Sequence, residues 1–219
     1  MFSLNDQEQD ISELIKAEYL RVLQETGHEP ETVLAFSLEI GIEASEFHSR
    51  YSSFKALEKE IWHNIFQHVN IALDLDAEYL TYSGKDKVLS FHYTLIEVYK
   101  QNQSFVKHRL TGLSRQSFEP WFLKEFKVAY IEMINSILSE AITSEEIIER
   151  LYISDYYKDI LWLQFLYVSR VWANDDSKDY QITDAAIEKS VNLLFELMRK
   201  GPLDMAIEFA KFMYQNKAY

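Results

Sequence analysis

Residues 32–57 read TVLAFSLEIGIEASEFHSRYSSFKAL, and their apolar pattern decides the fold of the amino-terminal region. Apolar side chains surround a break at Gly41 and continue beyond it: Val33, Phe36, Ile40 and Ile42, then Phe47, Tyr51, Phe54 and Leu57. Glycine at such a break permits a tight turn between two short helices. The stretch predicts a helix-turn-helix, a motif whose second helix enters the DNA major groove.

The rest of the chain shows helical periodicity only, so the predicted fold class is all-α. Ser83 with Asp86, and Thr143 with Glu146, have the form of capping boxes that open helices. The further predicted helices cover residues 11–25, 54–80, 84–100, 104–110, 118–141, 144–151, 155–173, 183–200 and 203–215. We predict a helix-turn-helix head at residues 1–56 and a larger helical body at residues 57–219.

Composition excludes several classes of protein. The 219 residues contain no cysteine, so disulfides, thiolate catalysis and cysteine-bound zinc are excluded. The longest uncharged apolar run, residues 160–169, is far shorter than the roughly 20 residues that cross a bilayer. The first residues are acidic, unlike a secretory signal. These features predict a cytoplasmic protein without a membrane span.

The net charge of −13 extends into the predicted head. Residues 1–60 carry thirteen acidic and five basic side chains, a net charge of −8. DNA-binding modules usually have a basic footprint, because much of their affinity comes from neutralising phosphates. The field of this head opposes DNA binding.

The amino-terminal pattern resembles the DNA-binding domain of the TetR/AcrR family of bacterial repressors, without gaps. Framework positions of that family are matched by Ile15, Leu20, Val22, Leu23, Gly27, Val33, Gly41, Ile42, Phe47, Tyr51, Ala56 and Leu57. The positions that contact DNA in the family differ, since Glu43 stands where the family usually has Ser or Thr, and Glu46 where it has Thr. His48 stands for a phosphate-binding Tyr, and Phe54 for a Lys that has moved to Lys55.

The resemblance implies a transcriptional regulator that binds a DNA operator as a homodimer. The residues able to contact DNA are Ala44, Ser45, His48, Ser49, Arg50 and Lys55. It also implies a small-molecule effector in the body, and a four-helix dimer interface made by the helices at about 155–173 and 183–200. The alternative is a TetR-fold module that binds a ligand, a lipid or a protein and has lost DNA binding.

The helices of the body are rich in aromatic residues that either fill the core or line a pocket. The predicted ligand-binding residues are Phe91, His92, Tyr99, Phe126, Tyr130, Trp162 and Phe165. An apolar pocket with few polar anchors suits a hydrophobic effector.

No residue pattern indicates catalysis, a cofactor or a metal site. His63 and His68 are five residues apart, which turns them about 140° from each other on a helix. The helix at 203–215 has three possible roles: it caps the pocket, extends the dimer interface or lies on a membrane. Packing on the body is the default expectation.

Overall fold

The structure is a computed structural model, and it describes residues 4–114 and 117–216. These residues form ten α-helices and no strand. The helices are α1 (Leu4–Thr26), α2 (Val33–Glu39), α3 (Ala44–Arg50), α4 (Phe54–Asp74), α5 (Gly84–Gln101), α6 (Gln103–Thr111), α7 (Lys124–Thr143), α8 (Tyr157–Ala173), α9 (Gln181–Met198) and α10 (Pro202–Gln215). Short 3₁₀ turns lie at Tyr79–Thr81, Trp121–Leu123, Ser154–Tyr156 and Lys178–Tyr180. The predicted all-α fold class is confirmed.

Contacts divide the described residues into two compact units. Unit 1 comprises residues 4–68 and 97–129, and unit 2 comprises residues 69–96 and 130–216. The predicted boundary between a head at 1–56 and a body at 57–219 stays a prediction.

Unit 1 contains the predicted pair of short helices, joined by a turn at Gly41. Gly41 has a φ of +76°, a left-handed conformation that L residues other than glycine adopt at a cost. Thr32 begins α2 by accepting a hydrogen bond from the Ala35 N–H at 3.1 Å. The glycine and the cap explain why two helices form here rather than one.

Unit 2 is built around α8 and α9, which pack along each other. The start of α5 approaches the end of α7 closely, since a Cβ on Gly84 would lie 2.8 Å from the Cβ of Ala141. The Ser83 cap is as predicted, because the Ser83 hydroxyl accepts from the Asp86 N–H at 3.2 Å.

The predicted helix at 144–151 is wrong. The α7 helix continues through Thr143, and the chain then turns at Glu145, whose φ is +59°. Glu146 begins no helix; its carboxylate accepts hydrogen bonds from the N–H groups of Gly84 at 2.7 Å and Lys85 at 3.0 Å. It therefore caps α5 and satisfies two backbone donors that lack partners within the helix.

Three predicted helix boundaries also require correction. The helix predicted at 11–25 begins at Leu4. The helix predicted at 54–80 ends at Asp74, because the Asp76 side chain accepts from the Glu78 N–H at 3.0 Å and stabilises a turn there. The helix predicted from residue 118 begins at Lys124 after a 3₁₀ turn that follows Pro120. In the described part of the chain, no helix combines the length and apolarity needed to cross a membrane.

Candidate DNA-binding surface and ligand site

An aromatic cluster holds α2 and α3 in place. Phe54 lies at its centre, with ring centroids 5.5 Å from Phe36, 5.4 Å from Phe47 and 5.4 Å from Tyr19. Phe36, Phe47 and Tyr19 are buried. Because the Phe54 ring packs into this cluster, an aromatic residue is favoured over a lysine at position 54.

The outer face of α3 presents few cations. Ser45, His48 and Ser49 are exposed, while Ala44 and Arg50 are half-buried. The Arg50 guanidinium donates to the Glu46 carbonyl at 2.9 Å and to the Ser49 hydroxyl at 3.2 Å. This cation is therefore held along its own helix.

The two glutamates of the turn have different roles. Glu46 accepts a hydrogen bond from the Glu43 N–H at 3.1 Å, so its carboxylate caps the start of α3. Glu43 is exposed. A negative charge at a helix N-terminus stabilises the helix, but it also repels phosphate groups.

Lys55, the remaining cation of the predicted DNA-contact set, lies beside an aromatic ring. Its ammonium lies 5.5 Å from the centre of the Trp121 ring, and the Arg109 guanidinium is 5.5 Å from the same ring centre. Lys55 is nevertheless exposed. The ammonium can therefore reach a phosphate if it leaves the ring.

Behind this surface lies a buried ionic cluster that the sequence did not reveal. Glu58 is fully buried and accepts hydrogen bonds from Tyr19 Oη at 2.5 Å and from Arg109 Nε at 2.6 Å. Arg109 also pairs with Glu29. Glu58 is four residues after Phe54 in α4, so the two side chains lie on the same face of the helix. This spacing is the one sequence signal that places Glu58 on the buried face.

Five of the seven predicted ligand residues contact one another in unit 2. Trp162 stacks on Phe165 with ring centroids 5.0 Å apart, and Tyr130 lies 5.2 Å from Phe165 and 5.4 Å from Phe91. Phe91 also contacts His92, at 5.6 Å. Tyr99 and Phe126 are in unit 1, where they contact Trp62 and Phe66. All seven are buried, and their role in ligand binding stays a prediction.

His92 is the polar residue of this cluster. It is fully buried, and its Nε2 lies 2.8 Å from Gln164 Oε1. Gln164 Nε2 in turn donates to the Ser190 hydroxyl at 2.9 Å. Burial lowers the pKa of His92 to about 4, and the hydrogen bond to Gln164 opposes that shift. Within the described residues, His92 Nδ1 has no hydrogen-bond partner.

The neutral form of His92 follows from this pKa and defines the role of each ring nitrogen. Gln164 presents its oxygen to His92, because its nitrogen is used by Ser190. Nε2 therefore carries the proton, and Nδ1 is a buried acceptor with an unused lone pair. Such a group accommodates a hydroxyl or N–H donor.

The outer faces of α8 and α9 carry a set of partly exposed apolar residues. They are Ile160, Leu163, Tyr167, Ile182, Leu193 and Leu197. A shallow groove of about 460 Å³ runs along this face and is lined in part by Tyr167, Ile182 and Leu193. Ser190, the last member of the His92 hydrogen-bond chain, also lines the groove.

A family model described as "Tetracyclin repressor-like, C-terminal domain" matches residues 87–213, more than half of the chain. The chain belongs to the TetR family. A crystal structure of the TetR family transcriptional regulator PfmR from Thermus thermophilus is similar, at 15% identity and a TM-score of 0.49. The similarity covers 81% of this chain and 97% of that one. The comparison with curated proteins by sequence found no match.

Membership of the TetR family agrees with the helical order of this protein but does not assign its individual site residues. The DNA-contact set and the ligand set therefore stay predictions. No group of three or more metal-binding side chains occurs among residues 4–114 and 117–216.

Proposed function

We propose that this TetR-family protein is a homodimeric transcriptional regulator whose DNA affinity responds to a neutral, largely apolar ligand. The observation that carries the proposal is the formed helix-turn-helix, with Gly41 at a φ of +76° and a capped α3, in a chain of this family. The outward side chains of α3 and Lys55 are the candidate DNA contacts. Ser45 and His48 can donate hydrogen bonds to phosphates or bases, whereas the Ser49 hydroxyl donates to the Glu46 carbonyl at 2.8 Å and is available only if that bond is exchanged.

A second candidate function is favoured by the charge of the same surface. Glu43 is exposed, Glu46 caps α3, and Arg50 is bonded to its own helix. A surface of this kind offers few cations for phosphate neutralisation. The alternative is therefore a ligand-binding or protein-binding member of the family that does not bind DNA.

Selection of genomic fragments by the purified protein at about 50 mM salt separates the two functions, because electrostatic binding is strongest at low salt. We expect the wild-type protein to retain a small set of fragments. The comparison variant is Glu43→Lys combined with Glu46→Gln. The amide introduced by Glu46→Gln keeps an oxygen that caps α3, so this variant changes charge without removing the cap.

Retention of defined fragments by the wild type supports the regulator. Retention by the variant alone, without sequence preference, supports the alternative. If neither protein retains DNA while circular dichroism shows both folded, the head does not bind DNA and the regulator proposal is wrong.

The homodimer is proposed to form through α8 and α9. Their exposed apolar residues lie on one face, and a two-fold pair would remove that face from water. Leu193→Glu should therefore produce a monomer in light scattering. Leu80→Glu, at a site that is 85% exposed and outside this face, is the matched control and should leave the dimer intact.

The ligand is proposed to lie among Phe91, Tyr130, Trp162 and Phe165, with a hydroxyl or N–H group donating to His92 Nδ1. Because these side chains are in contact and buried, ligand binding requires their rings to separate. A charged ligand is disfavoured, since the cluster offers aromatic rings and a neutral imidazole.

Native mass spectrometry of the freshly purified protein tests the ligand site. We expect a bound small molecule on the wild-type protein and a reduced bound fraction on His92→Phe, which keeps the volume but loses the acceptor. Equal occupancy in both proteins would exclude His92 as the polar anchor.

A further inference from the structure

The start of α10 is fixed to unit 2 by Arg150, which is buried. Its guanidinium donates to both carboxylate oxygens of Asp204, at 2.7 and 2.9 Å, and to Tyr157 Oη at 2.6 Å. It also donates to the carbonyls of Met198 at 3.0 Å and Arg199 at 2.6 Å. The first turn of α10 is therefore held in one position by a bidentate ion pair whose cation is itself anchored by three further acceptors.

This attachment turns the polar side of α10 toward its own chain. Asp204, Glu208 and Lys211 line a cleft whose other side is formed by residues 150–153. Four exposed apolar residues lie on a different side of the helix, at spacings of four, three and one residues. They are Met205, Phe209, Phe212 and Met213, which we call the α10 stripe, and they are 71%, 61%, 61% and 52% exposed.

The α10 stripe is not packed on its own core, unlike the apolar side of most amphipathic surface helices. From Met205 to Asn216, every residue whose side chain is described is exposed. A helix of 14 residues is only marginally stable in water by itself, so tertiary contacts such as the Arg150–Asp204 pair are needed to stabilise α10. The default expectation that α10 packs on the body stays a prediction for the helix as a whole, whereas the α10 stripe is exposed and needs another surface.

The exposed area is large enough to require a partner. A fully exposed aromatic side chain presents about 200 Å², so Phe209 and Phe212 together leave roughly 240 Å² in water. Met205 and Met213 bring the patch to roughly 400 Å², and patches of this size commonly mark an interaction site. The α8–α9 face adds a similar area, and the two together give about 800 Å² on each partner, the size of a standard specific interface.

The surroundings of the α10 stripe favour a second copy of this chain over a membrane. Leu193 and Leu197 are exposed on the last turns of α9, only a few residues before α10 begins, so the two apolar surfaces follow each other along the chain. Helices that bind membrane surfaces are usually rich in Lys and Arg on their polar face. Here that face carries Asp204, Glu208 and Lys211, on a protein of net charge −13.

We propose that the α10 stripe docks on a second copy of this chain and extends the α8–α9 dimer interface. The inference rests on the proposed homodimer and adds a second contact region to it. The Arg150–Asp204 pair sets the direction in which α10 leaves its own subunit. Docking shields the stripe from water and completes the packing of α10.

Site-specific photo-crosslinking in the full chain tests the proposal. One protein carries p-benzoylphenylalanine in place of Phe209, and a control protein carries it in place of Glu208. Each protein is prepared in a ¹⁴N form and a ¹⁵N form, and the two forms are mixed in equal amounts. From position 209 we expect crosslinks that join ¹⁴N to ¹⁵N peptides. From position 208 we expect crosslinks within one chain, to residues 150–153.

The outcomes distinguish this inference from the proposed dimer itself. If the wild type is a dimer by sedimentation but position 209 yields no mixed-isotope crosslinks, the α10 contact is wrong and the α8–α9 dimer stands. A monomeric wild type overturns both. The protein could instead co-float with vesicles of phosphatidylcholine and phosphatidylglycerol, and Phe209→Glu could abolish this binding. That result would show that the α10 stripe binds a lipid surface and would overturn docking on a second copy.

Sedimentation equilibrium gives an independent measurement. Phe209→Glu with Phe212→Glu should raise the dimer Kd by about tenfold or more, because buried aromatic residues are frequent binding hot spots. The matched control, Glu208→Ala with Lys211→Ala, changes the side that faces residues 150–153 and should stay within about twofold. Equal Kd values for the two double variants would refute the α10 contact.

Discussion

Two buried polar clusters, one in each unit, differ in charge and in completeness. In unit 1, the Glu58 carboxylate is matched by the Arg109 guanidinium and the Tyr19 hydroxyl. In unit 2, His92 and Gln164 are neutral partners, and His92 Nδ1 has no hydrogen-bond partner among the described residues. The first cluster is saturated, whereas the second keeps one acceptor unused.

The difference indicates different roles for the two clusters. A buried charge must be paired, so removal of the Arg109 guanidinium would leave the Glu58 carboxylate uncompensated in an apolar interior. A neutral imidazole can remain unsatisfied at a smaller cost and can bind a donor that enters. The Glu58 cluster is therefore structural, and the His92 cluster is the better candidate for ligand recognition.

The largest expected effect is that of Arg109→Met, which leaves Glu58 buried without its cation. The free energy of unfolding should fall by about 3–5 kcal/mol, measured by urea denaturation. Arg109→Met combined with Glu58→Met removes both charges and should recover most of this loss. A single substitution that costs less than the double one would contradict the ionic account of this cluster.

A pH dependence of stability should distinguish the His92 cluster. The folded-state pKa of His92 is about 4, below the ordinary 6.5, so the unfolded chain binds a proton first as pH falls. Stability from this group is complete above pH 6.5 and is lost between 6.5 and 4, by up to about 1.4 kcal/mol per pH unit. His92→Gln should show a flatter profile over this window, and parallel profiles would contradict the assignment.

The hydrogen-bond chain from His92 to Ser190 should show a moderate and coupled effect. Gln164→Leu leaves His92 without its acceptor and should cost about 1–3 kcal/mol. Ser190→Ala removes only the far end of the chain and should cost about 1 kcal/mol. The double variant should cost less than the sum of the two single effects, since both break the same bond, and strict additivity would show that the bond is absent in solution.

The smallest effect is expected at Arg21, an exposed counterpart to Arg109. Arg21 forms ion pairs with Glu18 at 2.6 Å, Glu25 at 2.6 Å and Glu39 at 3.0 Å, but its side chain is 40% exposed. Arg21→Ala should therefore change stability by less than about 1 kcal/mol, despite three partners. A change as large as that of Arg109→Met would show that the number of pairs, rather than burial, determines their contribution.

Two glutamates show how far sequence patterns extend. Glu46 caps α3, the helix in which it lies, and its partner is only three residues away. The pattern of Thr143 and Glu146 likewise predicts a helix that begins nearby, but Glu146 caps α5, 62 residues earlier in the chain. The capping-box pattern gives the chemistry of the acceptor, while the fold selects which helix it caps.

Local sequence is sufficient to specify the helical class, the turn at Gly41 and the positions of most helices, because periodicity, caps and glycine conformation act over a few residues. It also places acidic side chains at the start of α3, the second helix of the predicted helix-turn-helix. Packing between distant helices is needed to bury Glu58 against Arg109, to join His92 to Gln164 and to turn the α10 stripe outward. The first two features join residues that are 51 and 72 positions apart in the chain, and the third depends on the pair of Arg150 and Asp204. All three therefore arise only when the helices pack.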